Sequence, residues 1–182
     1  MRSLQCLRGL LTIAMRVALA LAFLSAVADR FGLLGSPGTP GVTWGDFANF
    51  LSYSAAVNSF APSMLQLPLA ITATILEISL GVLLLVGLLT RYAAVAAGLL
   101  LMAFAAAMTI SLGLKPVLDY SVLSAMCGAF FLAAEDRFPL SVDALLTFEF
   151  GDHHGSNAHE RSNANDERDS QPQARWSGNA RL

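Results

Sequence analysis

One acid stands inside the most apolar part of this chain. In "ITATILEISLGVLLLVGLLTR", Ile71 to Arg91, Glu77 is the only charged residue before the closing arginine. A charge at the centre of a bilayer-spanning helix costs at least about 2.5–3.5 kcal/mol on insertion scales, so such residues face a bundle interior and pair. Counted from the nearer helix ends, Glu77 lies 12 residues from Leu89 and Arg16 lies 7 from Gly9. At 1.5 Å per residue these are depths of about 18 and 10 Å, a gap that an arginine side chain largely covers. An Arg16–Glu77 intramembrane polar pair is therefore expected, with a protonated Glu77 bonded to Ser or Thr as the alternative. Helical spacing places Ala73, Thr74, Glu77 and Gly81 on one face, where small residues admit a second helix. That face would otherwise line a small polar cavity for a quinone head group, a proton or a small substrate. The sequence shows no second intramembrane carboxylate or histidine to supply a relay, which weighs toward packing.

The elements that must position these residues are membrane spans. Of 182 residues, 55% are hydrophobic and 13% charged, against about 25% charged in a soluble domain. From Gln66 to Leu114 the only charges are Glu77 and Arg91. A span needs about 20 mainly apolar residues, and four segments qualify: residues 9–28, 67–89, 92–112 and a shorter one at 117–134, with a turn at Thr90-Arg91-Tyr92. The expected fold is an all-α membrane protein, a bundle of four transmembrane helices. Arg2, Arg8 and the small-residue pattern Ala26-Val27-Ala28 also fit a cleaved signal peptide; Arg16 inside the would-be apolar region argues against it.

The basic residues orient the chain. With the N-terminus inside, Arg2, Arg8, Arg91 and Arg137 fall on the cytoplasmic side and only Arg30 and Lys115 opposite. Both termini are expected in the cytoplasm, across a bacterial inner membrane. The net charge of −2 mostly reflects the polar tail, and no basic patch or aromatic-basic interleaving points to a nucleic-acid partner. Cys6 and Cys127 form no CxxC motif, which argues against thiol-disulfide chemistry.

The loop from Asp29 to Gln66 is too long to be a mere connection. After the turn-rich "GLLGSPGTPG", an amphipathic helix is expected at about 43–60, with Trp44, Phe47, Phe50, Leu51, Ser54, Val57 and Phe60 at helical intervals and Thr43 and Asp46 spaced as a capping box. Trp44 would lie at headgroup depth on the outer membrane face. Residues 1–148 make the membrane domain; residues 149–182, rich in Asn, Ser, Asp and Arg, read as a disordered cytoplasmic tail. His153, His154 and His159 lie in that tail without a fixed geometry, so no metal site is expected.

The segment "TILEISLGVLLLVGLLTRYAA", with Glu77, Gly81, Gly87 and Arg91, resembles the central motif of the DoxX family of small four-helix membrane proteins. Arg16 with Leu21 to Phe23, "ADRFG" at Ala28 to Gly32, Tyr120 opening the fourth span, and "FPLSVDALL" with Ser141 and Asp143 extend the resemblance over about Met15 to Leu146. Arg30 stands where relatives often have Lys, and Glu135 where Gly is common. The family takes its name from a subunit associated with quinone-linked thiosulfate oxidation. The resemblance thus implies a non-catalytic accessory or quinone-interacting subunit of a membrane redox complex, its partners the bilayer, redox subunits or a second copy. A carrier or conduit for a small solute, and a purely structural partner, are the other readings.

Overall fold

A computed structural model describes residues 2–136 and 138–143, which belong to one compact unit spanning Met1–Ala144. The tail at 149–182, its three histidines and the domain boundary at 148 lie outside the described residues. The helices are α1 (Arg2–Arg30), α2 (Phe47–Val57), α3 (Ser63–Val86), α4 (Thr90–Leu112), α5 (Leu114–Asp119) and α6 (Val122–Ala134). The all-α class is as expected.

Three of these helices, α1, α3 and α4, are long and apolar enough to cross a membrane. At about 1.5 Å per residue, the 24 residues of α3 and 23 of α4 exceed the roughly 30 Å hydrocarbon core. The fourth span is not one helix. Gly113 ends α4, α5 runs six residues, and the chain breaks at Tyr120 and Ser121 before the 13 residues of α6. Ser121 adopts φ +54, a left-handed conformation that no regular helix tolerates. Tyr120 therefore stands in the break between two short helices, not at the head of a continuous span.

Packing is inside-out relative to a soluble protein. The main interior cluster joins Ala20, Ala93, Ala94, Ala97 and Ala129 with Leu19, Phe23, Leu80, Leu84 and Leu132. Large apolar side chains, among them Ile75, Val82, Leu99 and Phe131, lie exposed on the helix exteriors. Water would penalise such a surface; lipid tails do not, and small interior residues let backbones approach closely. Gly81 shows the principle, since a Cβ there would stand 2.9 Å from Leu24.

The helices pair antiparallel. Along α1 and α3, Arg30 meets Glu77, Leu24 meets Gly81, and Arg16 meets Gly87. Along α4 and α6, Gly98 faces Phe130 and the Arg91 side chain reaches Ala133. Arg8 reaches Glu135 at 3.1 Å, so the N-terminal part of α1 and the end of α6 share one end of the bundle. At the other end α2 packs on α3 and α4, and Val57 joins Ala105, Met108 and Val117 in a second cluster.

The α3–α4 turn comes earlier than Thr90-Arg91-Tyr92. Gly87 takes φ +75 and caps α3, its N–H and that of Leu88 both donating to the Leu83 carbonyl, and Thr90 is already helical. Likewise α2 is shorter than 43–60. Asp46 is its N-cap, accepting the Asn49 N–H at 2.7 Å, and Thr43 takes no part in that cap.

Candidate functional site

Glu77 is paired, but with Arg30. The Arg30 Nη2 lies 2.7 Å from Glu77 Oε2 and donates to Oε1 at 2.9 Å. Its Nη1 donates at 3.0 Å to the Thr74 hydroxyl, which donates in turn to the Ala70 carbonyl at 2.8 Å. The expected Arg16–Glu77 pair is replaced by this one, and the first reason is register: Arg16 lies level with Gly87, ten residues or about 15 Å along α3 from Glu77. Side chains on a helix tilt toward its N-terminus. On α1 that carries the Arg16 guanidinium away from Glu77 and bends Arg30 back into the bundle; on antiparallel α3 it carries Glu77 toward Arg30.

Aromatic rings cover the pair. The Arg30 Cζ stands 3.8 Å from the Phe50 ring centroid and 5.3 Å from that of Trp44, and the two rings meet edge to face at 5.3 Å. A cation desolvated against aromatic faces gains about 2 kcal/mol or more, which helps offset the removal of Arg30 from water. Trp44 thus packs over a buried cation at the end of α1.

Asp29 holds this cover in position. Its buried carboxylate accepts the N–H groups of Thr43 at 2.9 Å, Trp44 at 3.1 Å and Gly45 at 3.2 Å. The adjacent pair Asp29-Arg30 therefore does two jobs: one side chain ties down the loop, and the other receives Glu77 beneath it. The sequence reading missed Asp29, Phe50 and the role of Arg30.

Arg16 belongs to a second cluster at the opposite end. It is buried, and its Nη2 donates to the Leu140 carbonyl at 2.6 Å. A Cβ on Gly87 would stand 2.6 Å from both Arg16 Nη1 and Ser141 Cβ. Ser141 bonds the Phe138 carbonyl. Asp143 accepts the N–H groups of Leu89 and Thr90, each at 2.7 Å, and donates its own N–H to the Gly87 carbonyl at 3.1 Å. It thereby caps α4 from a distant part of the chain, where no local side chain does so. Burial raises the Asp143 pKa, but the bonds from Thr90 and Leu89 and the charge of Arg16 outweigh it and hold the carboxyl below its ordinary value.

The motif residues Arg16, Gly87, Ser141 and Asp143 are thus brought together, while Glu77 stands apart with Arg30. Arg91 bonds the Ala133 carbonyl at 3.1 Å and approaches Asp136 at 3.5 Å. Among the described residues, no group of three His, Cys, Asp or Glu lies close enough to hold a metal.

The family model described as methylamine utilisation protein MauE matches residues 8–119, more than half of the chain. The matched stretch contains Asp29, Arg30, Trp44, Phe50 and Glu77, and ends before Ser141 and Asp143. No curated protein and no solved structure matches.

Proposed function

The chain belongs to the MauE family of membrane proteins, and from that premise we propose that it is an accessory subunit of a membrane-linked oxidative pathway of the methylamine-utilisation kind. The closed Arg30–Glu77–Thr74 cluster carries this reading. Its guanidinium bonds both the Glu77 carboxylate and the Thr74 hydroxyl under two aromatic rings, an arrangement suited to holding helices and a cap together. The DoxX-like motif and a redox-complex partnership belong to the same proposal, as does a bacterial inner membrane with both termini cytoplasmic. A quinone-handling role would need polar groups that a head group can reach; Arg30 Nε has no hydrogen-bond partner but is buried beneath the Phe50 and Trp44 rings, which favours the accessory role. A solute carrier would need the pair to open during transport.

The test is complementation. In a methylamine-utilising host lacking its own MauE, this chain should restore growth on methylamine, and gentle solubilisation should recover it with a second protein of that pathway. Lack of growth from a well-expressed, membrane-inserted chain would overturn the proposal. A stoichiometric bound quinone would move the reading to quinone handling, and solute uptake by proteoliposomes to a carrier.

A further inference from the structure

After α6 the chain turns back across the end of the bundle, and residues 138–143 dock on three helices. The Pro139 ring lies over Gly9 of α1, 3.4 Å from where a Cβ there would stand. Buried Arg16 donates to the Leu140 carbonyl at 2.6 Å, Ser141 fills the notch at Gly87, and Asp143 accepts the N–H groups of Leu89 and Thr90. We propose that this segment is a releasable strap, docked under backbone strain, whose release frees Arg16 and uncaps α4 while the rest of the bundle stays folded. The proposal does not depend on the pathway reading above.

The strain lies at the two leucines that docking fixes. Leu140 takes φ +49 and Leu89 φ +50, left-handed conformations that L-residues other than Asn and Asp rarely adopt. Their side chains offer little in return, Leu140 being 82% and Leu89 55% exposed. What holds them is polar: Arg16 grips the Leu140 carbonyl and the Asp143 carboxylate grips the Leu89 N–H. Such conformations persist only where the surrounding structure over-determines them, so both relax when the strap undocks. Apolar packing adds little resistance. Of residues 138–143 only Ser141 is buried, and Phe138 alone packs against the main interior cluster; a segment with so few buried apolar contacts opens at a lower free energy than the core.

Hydrogen exchange of the full chain in detergent, resolved to single amides, tests the strap. The N–H groups of Leu89, Thr90 and Asp143 are bonded only in the docked arrangement. Corrected for intrinsic rates, they should exchange together and at least about tenfold faster than those of Ala97 and Gly98, buried in the middle of α4. Leu140→Asn tolerates the left-handed region and should slow the three by about threefold, whereas β-branched Leu140→Val should speed them by a similar factor. Arg16→Leu should speed them too, although Arg16 bonds none of the three. The Ala97 and Gly98 rates in each variant separate strap release from loss of overall stability. Exchange of the three only as fast as Ala97 and Gly98, equal rates in Leu140→Asn and Leu140→Val, or no response to Arg16→Leu would each overturn the proposal.

Discussion

Arg30 and Glu77, 47 residues apart in sequence, meet at 2.7 Å with side chains 5% and 2% exposed. An arginine at the end of a spanning helix ordinarily extends its charge outward to the interface. Arg30 turns inward, because Glu77 offers a counter-ion and α2 with its preceding loop closes over the position. The pair joins three elements: the end of α1, the middle of α3 and the cap containing Trp44 and Phe50.

Gly87 should be intolerant of any side chain. Its φ of +75 disfavours L-residues, and a Cβ would meet Arg16 and Ser141 at 2.6 Å. The conformational cost alone is about 1–2 kcal/mol, and the clash adds to it. Gly38 is the control, with φ +87 and nothing within 4 Å. Thermal unfolding in detergent should show Gly87→Ala markedly less stable than Gly38→Ala; equal losses would mean that the Arg16 contact is not formed.

Asp143 makes stability depend on acid. Its folded-state pKa is depressed, so the stabilisation is present above the unfolded value, about 3.9, and lost as pH falls through the folded value. Asp143→Ala should cost about 0.5–2 kcal/mol near neutrality, as loss of an N-cap does. The gap between variant and wild type should close on acidification below pH 4. A gap independent of pH would show that the carboxylate charge is not what caps α4.

Arg91 is expected to matter little to stability. Its 3.5 Å contact with Asp136 joins side chains 54% and 90% exposed, and such pairs contribute about 0–1 kcal/mol. Arg91→Ala should unfold within that margin of wild type in a detergent melt. A larger loss would give the bonds to the Ala133 and Glu135 carbonyls more weight than the ion pair.

Hydropathy made three spans legible because lipid exposure demands unbroken apolar runs. It could not reveal the break at Tyr120–Ser121, since a left-handed serine leaves no trace in an apolar average. Glu77 announced itself as a buried acid needing a cation. Its partner was misread because depths counted from the assumed span ends set Arg16 within reach of Glu77, whereas α1 begins at Arg2 and is offset along α3 so that Arg16 lies level with Gly87. Asp143 was legible as a motif residue but not as a helix cap, for its ligands are backbone N–H groups more than 50 residues away.

Orientation has its own test. The positive-inside count, Arg2, Arg8, Arg91 and Arg137 against Arg30 and Lys115, underlies the proposal that both termini are cytoplasmic. A reporter active only in the cytoplasm should work when fused after residue 150 and fail when inserted near residue 38. The opposite pattern would invert the topology and leave the internal pairing untouched.

A double-mutant cycle on Arg30 and Glu77 tests the central claim most directly. Removing one partner strands a buried charge and should cost about 3–5 kcal/mol, whereas a double Arg30→Leu, Glu77→Leu variant should recover much of that loss. Arg16→Leu combined with Glu77→Leu should be additive within about 0.5 kcal/mol, because those two residues have separate partners. Equilibrium unfolding of the single and double variants in one detergent reads all of this. Strong coupling between 30 and 77 with none between 16 and 77 is the result predicted; additive losses at 30 and 77, or coupling between 16 and 77 instead, would contradict the account.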